Sequence, residues 1–172
     1  MVLSELNTLS ELLLEEFRKE LKDQGHNLTG KLSKSLQIRT TAGAGEISLI
    51  GSFLRYGAAI DQGVKPERVP FTPNSGNKTS KYITGLINFV KLRRIATNDA
   101  KAKSIAFAIA FKHKKEGIPT KSSYKYSSNG RRLGWISDTL DRNSDTITEL
   151  LQDIFEKEVN INIDNLLNKY NL

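Results

Sequence analysis

The chain has no cysteine, which excludes disulfides and thiolate metal sites. That absence fits an intracellular product, although secreted chains can lack cysteine too. Its two histidines, His26 and His113, lie far apart, and no His-x-x-x-His ligand spacing exists. His26 sits in a Gly25–Asn27 turn and His113 in a basic helix end, so both are expected at the surface. No apolar run approaches the roughly 20 residues that span a bilayer. The first residues include Glu5 and Glu11 and no basic start, so they read as an amphipathic helix and not as a signal peptide. Also missing are the patterns of common catalytic sites. There is no Gly-x-Ser-x-Gly elbow, and neither histidine has a neighbouring partner. Gly30-Lys31 is followed by Leu32, which rules out a phosphate loop, and Gly43-x-Gly45 is too short for a dinucleotide fingerprint. The acid pairs Glu15/Glu16, Asp138/Asp141 and Glu156/Glu158 read as helix-surface carboxylates. The expectation is a non-enzyme with no metal and no cofactor.

What is present suits one domain over 1–172 with room for a core. The hydrophobic fraction is 38%, the charged fraction 26%, the net charge +7 and the pI about 9.6. A basic balance favours anionic partners, or equally a solvated basic face.

Leu6, Leu9, Leu13, Phe17 and Leu21 recur at helical spacing, which predicts a helix over Ser4 to Lys22. Ser4, or Thr8 with Glu11 in a capping box, would start it, and Gly25 would stop it. Glu15, Glu16, Lys19, Glu20 and Lys22 fall on its wet side. Leu32 and Leu36 share one side of a short helix or turn after Thr29-Gly30. Alternation from Leu36 to Thr41, a turn at 42–45 and alternation from Glu46 to Ile50 predict a β-hairpin. Phe53 to Ile60 reads as a strand or a short helix. The breakers between Val64 and Asn77 predict a loop, with Phe71 plugging an apolar gap. Helices follow over Lys81 to Arg94, capped by Ser80, and over Ala100 to Lys115. Pro119 to Arg132 carries no aliphatic side chain beyond Pro119 and reads as irregular; loops at 64–79 and 117–132 are expected to be mobile. Trp135 anchors Leu133 to Leu140. Asp145 to Tyr170 is a long amphipathic helical segment, in which Val159 to Ile163 alternates strictly and leaves a strand open. These elements make an α+β chain.

The basic material is concentrated. Lys112, Lys114, Lys115, Lys121, Lys125, Arg131 and Arg132 stand against Glu116 alone, interleaved with Tyr124 and Tyr126. Such a set could neutralise phosphates and stack bases, or meet an acidic neighbouring subunit, or simply be solvated. The subunit contact is preferred.

Three short motifs stand in a fixed order. The first is Leu28-Thr29-Gly30-Lys31-Leu32-Ser33-Lys34-Ser35-Leu36. The second is Tyr56-Gly57-Ala58-Ala59-Ile60-Asp61-Gln62-Gly63, and the third is Val69-Pro70-Phe71-Thr72-Pro73. This order resembles the tail-completion (neck, minor-tail) proteins that join heads to tails in long-tailed phages and prophages. The matching positions are Thr29, Gly30, Leu32, Ser35 and Leu36; Tyr56, Ala58, Ala59, Ile60, Asp61 and Gly63; and Pro70, Phe71 and Pro73. Asp61 stands where that family more often has Glu. The resemblance covers roughly Leu3 to Phe111. It implies a small antiparallel sheet packed against helices, and copies of the chain in a six- or twelvefold ring between connector and tail tube. It also implies a place in the virion neck, host cytoplasm before assembly, and no membrane partner. Ring neighbours would meet head-to-tail, so two different surfaces would have to complement each other. A basic, non-sequence-specific nucleic-acid-binding protein is the alternative.

Overall fold

A computed structural model describes residues 2–43, 46–73 and 80–170. The chain is mostly helical, with one two-stranded antiparallel sheet, an α+β architecture. Its contacts group into two compact units. Unit 1 comprises Met1–Glu20, Lys31–Leu54 and Trp135–Leu172, and unit 2 comprises Leu21–Gly30 and Arg55–Gly134.

Helix α1 spans Val2–Asp23. Its Leu6, Leu9, Leu13 and Leu21 are buried, as the four-residue rhythm requires. The start differs from expectation. Ser4 lies inside the helix, and the Thr8 hydroxyl donates back to the Ser4 carbonyl at 3.1 Å, so neither residue is the cap. Glu20 also departs from the wet side on which it was placed. It is fully buried, and Arg142 reaches its carboxylate at 2.5 Å. The helix ends as Gly25 predicts. Gly25 has φ of 72°, its N–H donates to Lys22 O at 2.9 Å, and the next N–H, of His26, donates to Leu21 O at 2.8 Å.

Within unit 1, α2 (Lys31–Ser35) leads into β1 (Gln37–Gly43), which pairs with β2 (Glu46–Ser52) in the register Gln37↔Ser52 to Gly43↔Glu46. Ala42 and Gly43, expected in the turn, instead extend β1 by pairing with Ile47 and Glu46, and residues 44 and 45 of the expected turn lie outside the described residues. Helix α6 (Trp135–Arg142) buries Trp135 between the edges of Phe17 and Phe53, with centroids 5.6 and 5.3 Å away. Asp138, expected on the surface, is buried in the first turn of α6, where the helix dipole favours an acid. Helix α7 spans Ser144–Tyr170. Residues 159–163 are helical, so their alternation does not make a strand; ten residues of continuous helical spacing before them, with no breaker, carry the helix through.

Within unit 2, the apolar stretch before Gly63 becomes helix α3 (Tyr56–Gln62). Helix α4 (Lys81–Leu92) is capped by Ser80, whose hydroxyl accepts from Ile83 N at 3.3 Å. Asn98 caps α5 (Asp99–Glu116) in the same way, at 2.9 Å from Lys101 N. Ala102, Ala106 and Ala110 form the buried stripe of α5; their small side chains let α4 approach closely. Phe71 fills the gap assigned to it, packing edge-on to Phe107 and Phe111 beside Val69 and Ile83. Pro66–Arg68 makes a 3-10 turn inside the expected loop, and residues 74–79 of that loop lie outside the described residues.

Candidate interaction surfaces

The three motifs occupy architectural positions. Gly30 takes φ of 68°, and Leu32 and Leu36 are buried. The Ser35 hydroxyl donates to Leu32 O at 2.7 Å and accepts from Leu54 N at 3.1 Å, tying the strand exit to α2. In the second motif, Asp61 contributes its carbonyl to Gly134 N at 2.9 Å, while Tyr56 stays exposed. Gly63 has φ 75° and ψ 179°, and Gly117 has φ 85° and ψ −172°, a region essentially confined to glycine. Between them Val64 and Ile118 exchange both N–H···O bonds, at 2.7 and 2.8 Å. A β-carbon on Gly63 would stand 2.7 Å from Ile118 O, and one on Gly117 2.7 Å from Val64 O. In the third motif Pro70 and Pro73 are exposed and flank buried Phe71.

The basic segment is fastened to the end of α1. Arg132 donates to Gln24 O at 2.7 Å, Arg93 to Gly25 O at 3.4 Å, and Ser128 N to Asp23 O at 2.7 Å. The carbonyls that a helix C-terminus leaves open thus receive two guanidiniums, which also suit the negative end of the dipole. Burial lowers the Arg132 pKa, and the nearby Arg93 charge lowers it further. Gly25 permits this closeness, since a β-carbon there would lie 2.5 Å from Tyr126 O. Residues 121–126 form a 3-10 turn, an element the composition did not suggest.

Of the candidate contacts, Arg132 is therefore part of the scaffold. Lys114 turns its ammonium to the carbonyls of Glu67 and Val69, both at 3.5 Å. Lys112 donates to Ser122 Oγ at 2.7 Å, and Lys121 gives its backbone N–H to Glu116 at 3.0 Å. Lys115, Lys121, Tyr124, Lys125, Tyr126 and Arg131 are exposed; Tyr126 is 68% accessible, with the Lys125 ammonium 5.0 Å from its ring centre.

Both histidines depart from the surface placement. His26 is half-buried, with Nε2 3.2 Å from Arg132 O; burial, then the Arg132 charge, pull its pKa down to about 4. His113 meets the Tyr82 hydroxyl at 2.6 Å. Burial lowers the His113 pKa and pushes Tyr82 up to about 12, so at neutral pH a neutral phenol shares this hydrogen bond with a neutral ring. The histidines were misplaced because their covering residues come from more than thirty positions away, which local composition cannot show. Among the described residues no group of acids and histidines is arranged to hold a metal ion.

Unit 1 contains an apolar groove of about 290 Å³ between Leu13, Phe17, Ile38, Leu49, Phe53 and Trp135. Charge is strongly divided. The segments of unit 2 carry 18 Lys and Arg against 5 Asp and Glu; those of unit 1 carry 8 against 14. No helix among the described residues is long and apolar enough to cross a membrane.

No known protein family, curated protein or solved structure matches the chain.

Proposed function

We propose that the chain is a structural subunit of a phage neck: a tail-completion adaptor whose copies form a six- or twelvefold ring between connector and tail tube. The observation that carries this reading is the agreement between motif and architecture. The ordered motifs that resemble the family supply a tight turn at Gly30, a strand tie at Ser35, the glycine of the Val64–Ile118 bridge and the Phe71 plug. These positions define an α+β frame of the kind the resemblance implies, a small antiparallel sheet with helices. The divided charge supports a protein that works by being docked, since complementary surfaces steer and orient partners. Mass spectrometry of purified particles from the virus or prophage encoding the chain tests the reading. A few copies per particle, in a multiple of six, are expected; absence from intact particles overturns it.

A second reading has its own observation. Lys115, Lys121, Lys125 and Arg131 are exposed beside Tyr126, a surface able to meet phosphates and a base. Binding of single-stranded DNA that falls by orders of magnitude from low to moderate salt would favour this nucleic-acid role.

A further inference from the structure

Helix α7 changes character at Ile154. Up to that residue one face is apolar and inward: Ile147, Leu150 and Leu151 are half-buried and Ile154 is buried. From Phe155 to Ile163 every side chain is exposed, on all sides of the helix. The exposed part is nevertheless not polar. Phe155, Val159 and Ile163 follow one another at intervals of four and are 44%, 55% and 47% accessible. They form a single stripe, rotated away from the buried one. Among the described residues this stretch is tied back by an ion pair from Lys157 to Glu5 at 2.8 Å. A stripe of this kind is completed by a partner.

Charge selects the partner. From Ser144 to Tyr170 the helix carries six acids against two lysines, with Glu156 and Glu158 on either side of the stripe. A second acidic helix would be repelled. A basic surface with apolar side chains of its own would fit, and unit 2 has one where α4 ends. Leu92 and Ile95 are 59% and 49% accessible there, beside Arg93 and exposed Arg94, with Lys91 paired to Asp99 at 2.8 Å.

We infer that the Phe155–Val159–Ile163 stripe of one copy docks on the Leu92–Arg94–Ile95 end of α4 in a second copy, a head-to-tail contact between two different surfaces. The contact rests on the reading of a self-assembling subunit but not on the virion as its location, so particle composition and the assay below can fail separately.

Sedimentation and light scattering on the full chain, at concentrations up to on the order of 100 μM, test it. Wild type is expected to associate. Phe155→Ser with Val159→Ser is expected to be monomeric with unchanged circular dichroism, because both side chains are exposed. Glu156→Lys with Glu158→Lys, and separately Arg94→Glu, are each expected to weaken association at least about tenfold. The decisive arm mixes these two variants. Each retains one intact surface, so the mixture is expected to form one-to-one pairs that neither variant forms alone. A monomeric wild type overturns the inference, as does association unaffected by the serine pair. Failure of the mixture to pair also overturns it, since that result means α7 meets another α7 or another surface.

Discussion

Replacing Gly63 by alanine tests the account of unit 2 at its tightest point. The perturbation adds one methyl group. Gly63 adopts φ 75° and ψ 179°, where a side chain costs about 1–3 kcal/mol of backbone strain. The added carbon would also stand 2.7 Å from the Ile118 carbonyl oxygen, a backbone atom that can yield only by opening the bridge. Two hydrogen bonds are at stake there, Val64 N to Ile118 O and its reciprocal, each contributing about 1 kcal/mol net. The expected loss is about 3 kcal/mol, with about 5 kcal/mol if both bonds go. Urea unfolding followed by far-UV circular dichroism reads it directly. Gly85→Ala is the control in the same unit: it sits in α4 with open space around its would-be β-carbon, and should stabilise by about 0.5–1 kcal/mol. Gly117→Ala should resemble Gly63→Ala, and the double variant should lose less than the sum because both act on one bridge. A Gly63→Ala protein within about 1 kcal/mol of wild type would refute the reasoning, since strain alone accounts for that much.

Three further outcomes are expected. The folded pKa of His26, about 4, lies below its unfolded value of 6.5, so the unfolded chain binds more protons between those values. Its contribution is therefore complete above pH 6.5 and is lost as pH falls toward 4; His113, lowered in the same sense, adds to the trend. His26→Gln should flatten the fall in unfolding free energy between pH 6.5 and 4.5 relative to wild type, and an unchanged slope would contradict the assignment. Arg142→Ala leaves the buried Glu20 carboxylate without its guanidinium and should destabilise by about 3 kcal/mol, with a smaller loss in a Glu20→Gln background, checked by a double-mutant cycle in urea. Among the basic candidates, Arg132→Ala should lower stability measurably while Lys125→Ala stays within about 0.5 kcal/mol, because the first caps α1 and the second is exposed.

Regular features were legible wherever a local pattern was enough. The leucine rhythm of α1, the pairing of the two strands, the Ser80 cap and the Phe71 plug each follow from a few neighbouring residues. Distant pairings escaped. Glu20 looked wet because Arg142 follows it by more than a hundred positions, and Arg132 looked like a contact residue because the carbonyl it meets belongs to Gln24. Residues 119–132 lack aliphatic side chains and so read as loose, yet Ser128, Arg132 and the 3-10 turn are held by the polar end of α1, an anchorage that hydrophobic patterning does not register. The exposed half of α7 carried the opposite ambiguity. Its apolar residues promised burial, yet Phe155, Val159 and Ile163 stand in solvent.

The threading of the two units has a consequence for synthesis. Unit 1 takes its first two segments from the beginning of the chain and its third from Trp135 onward, with residues 55–134 of unit 2 between them. The ring that locks Phe17 against Phe53 is thus delivered only after the other unit has left the ribosome. At about 5–20 residues per second, roughly 80 residues impose a wait of roughly 4 to 16 s. During it Phe17 and Phe53 have no Trp135 ring to pack against. Chaperone capture of ribosome-stalled chains should therefore peak for lengths ending before Trp135 and fall once α6 has emerged.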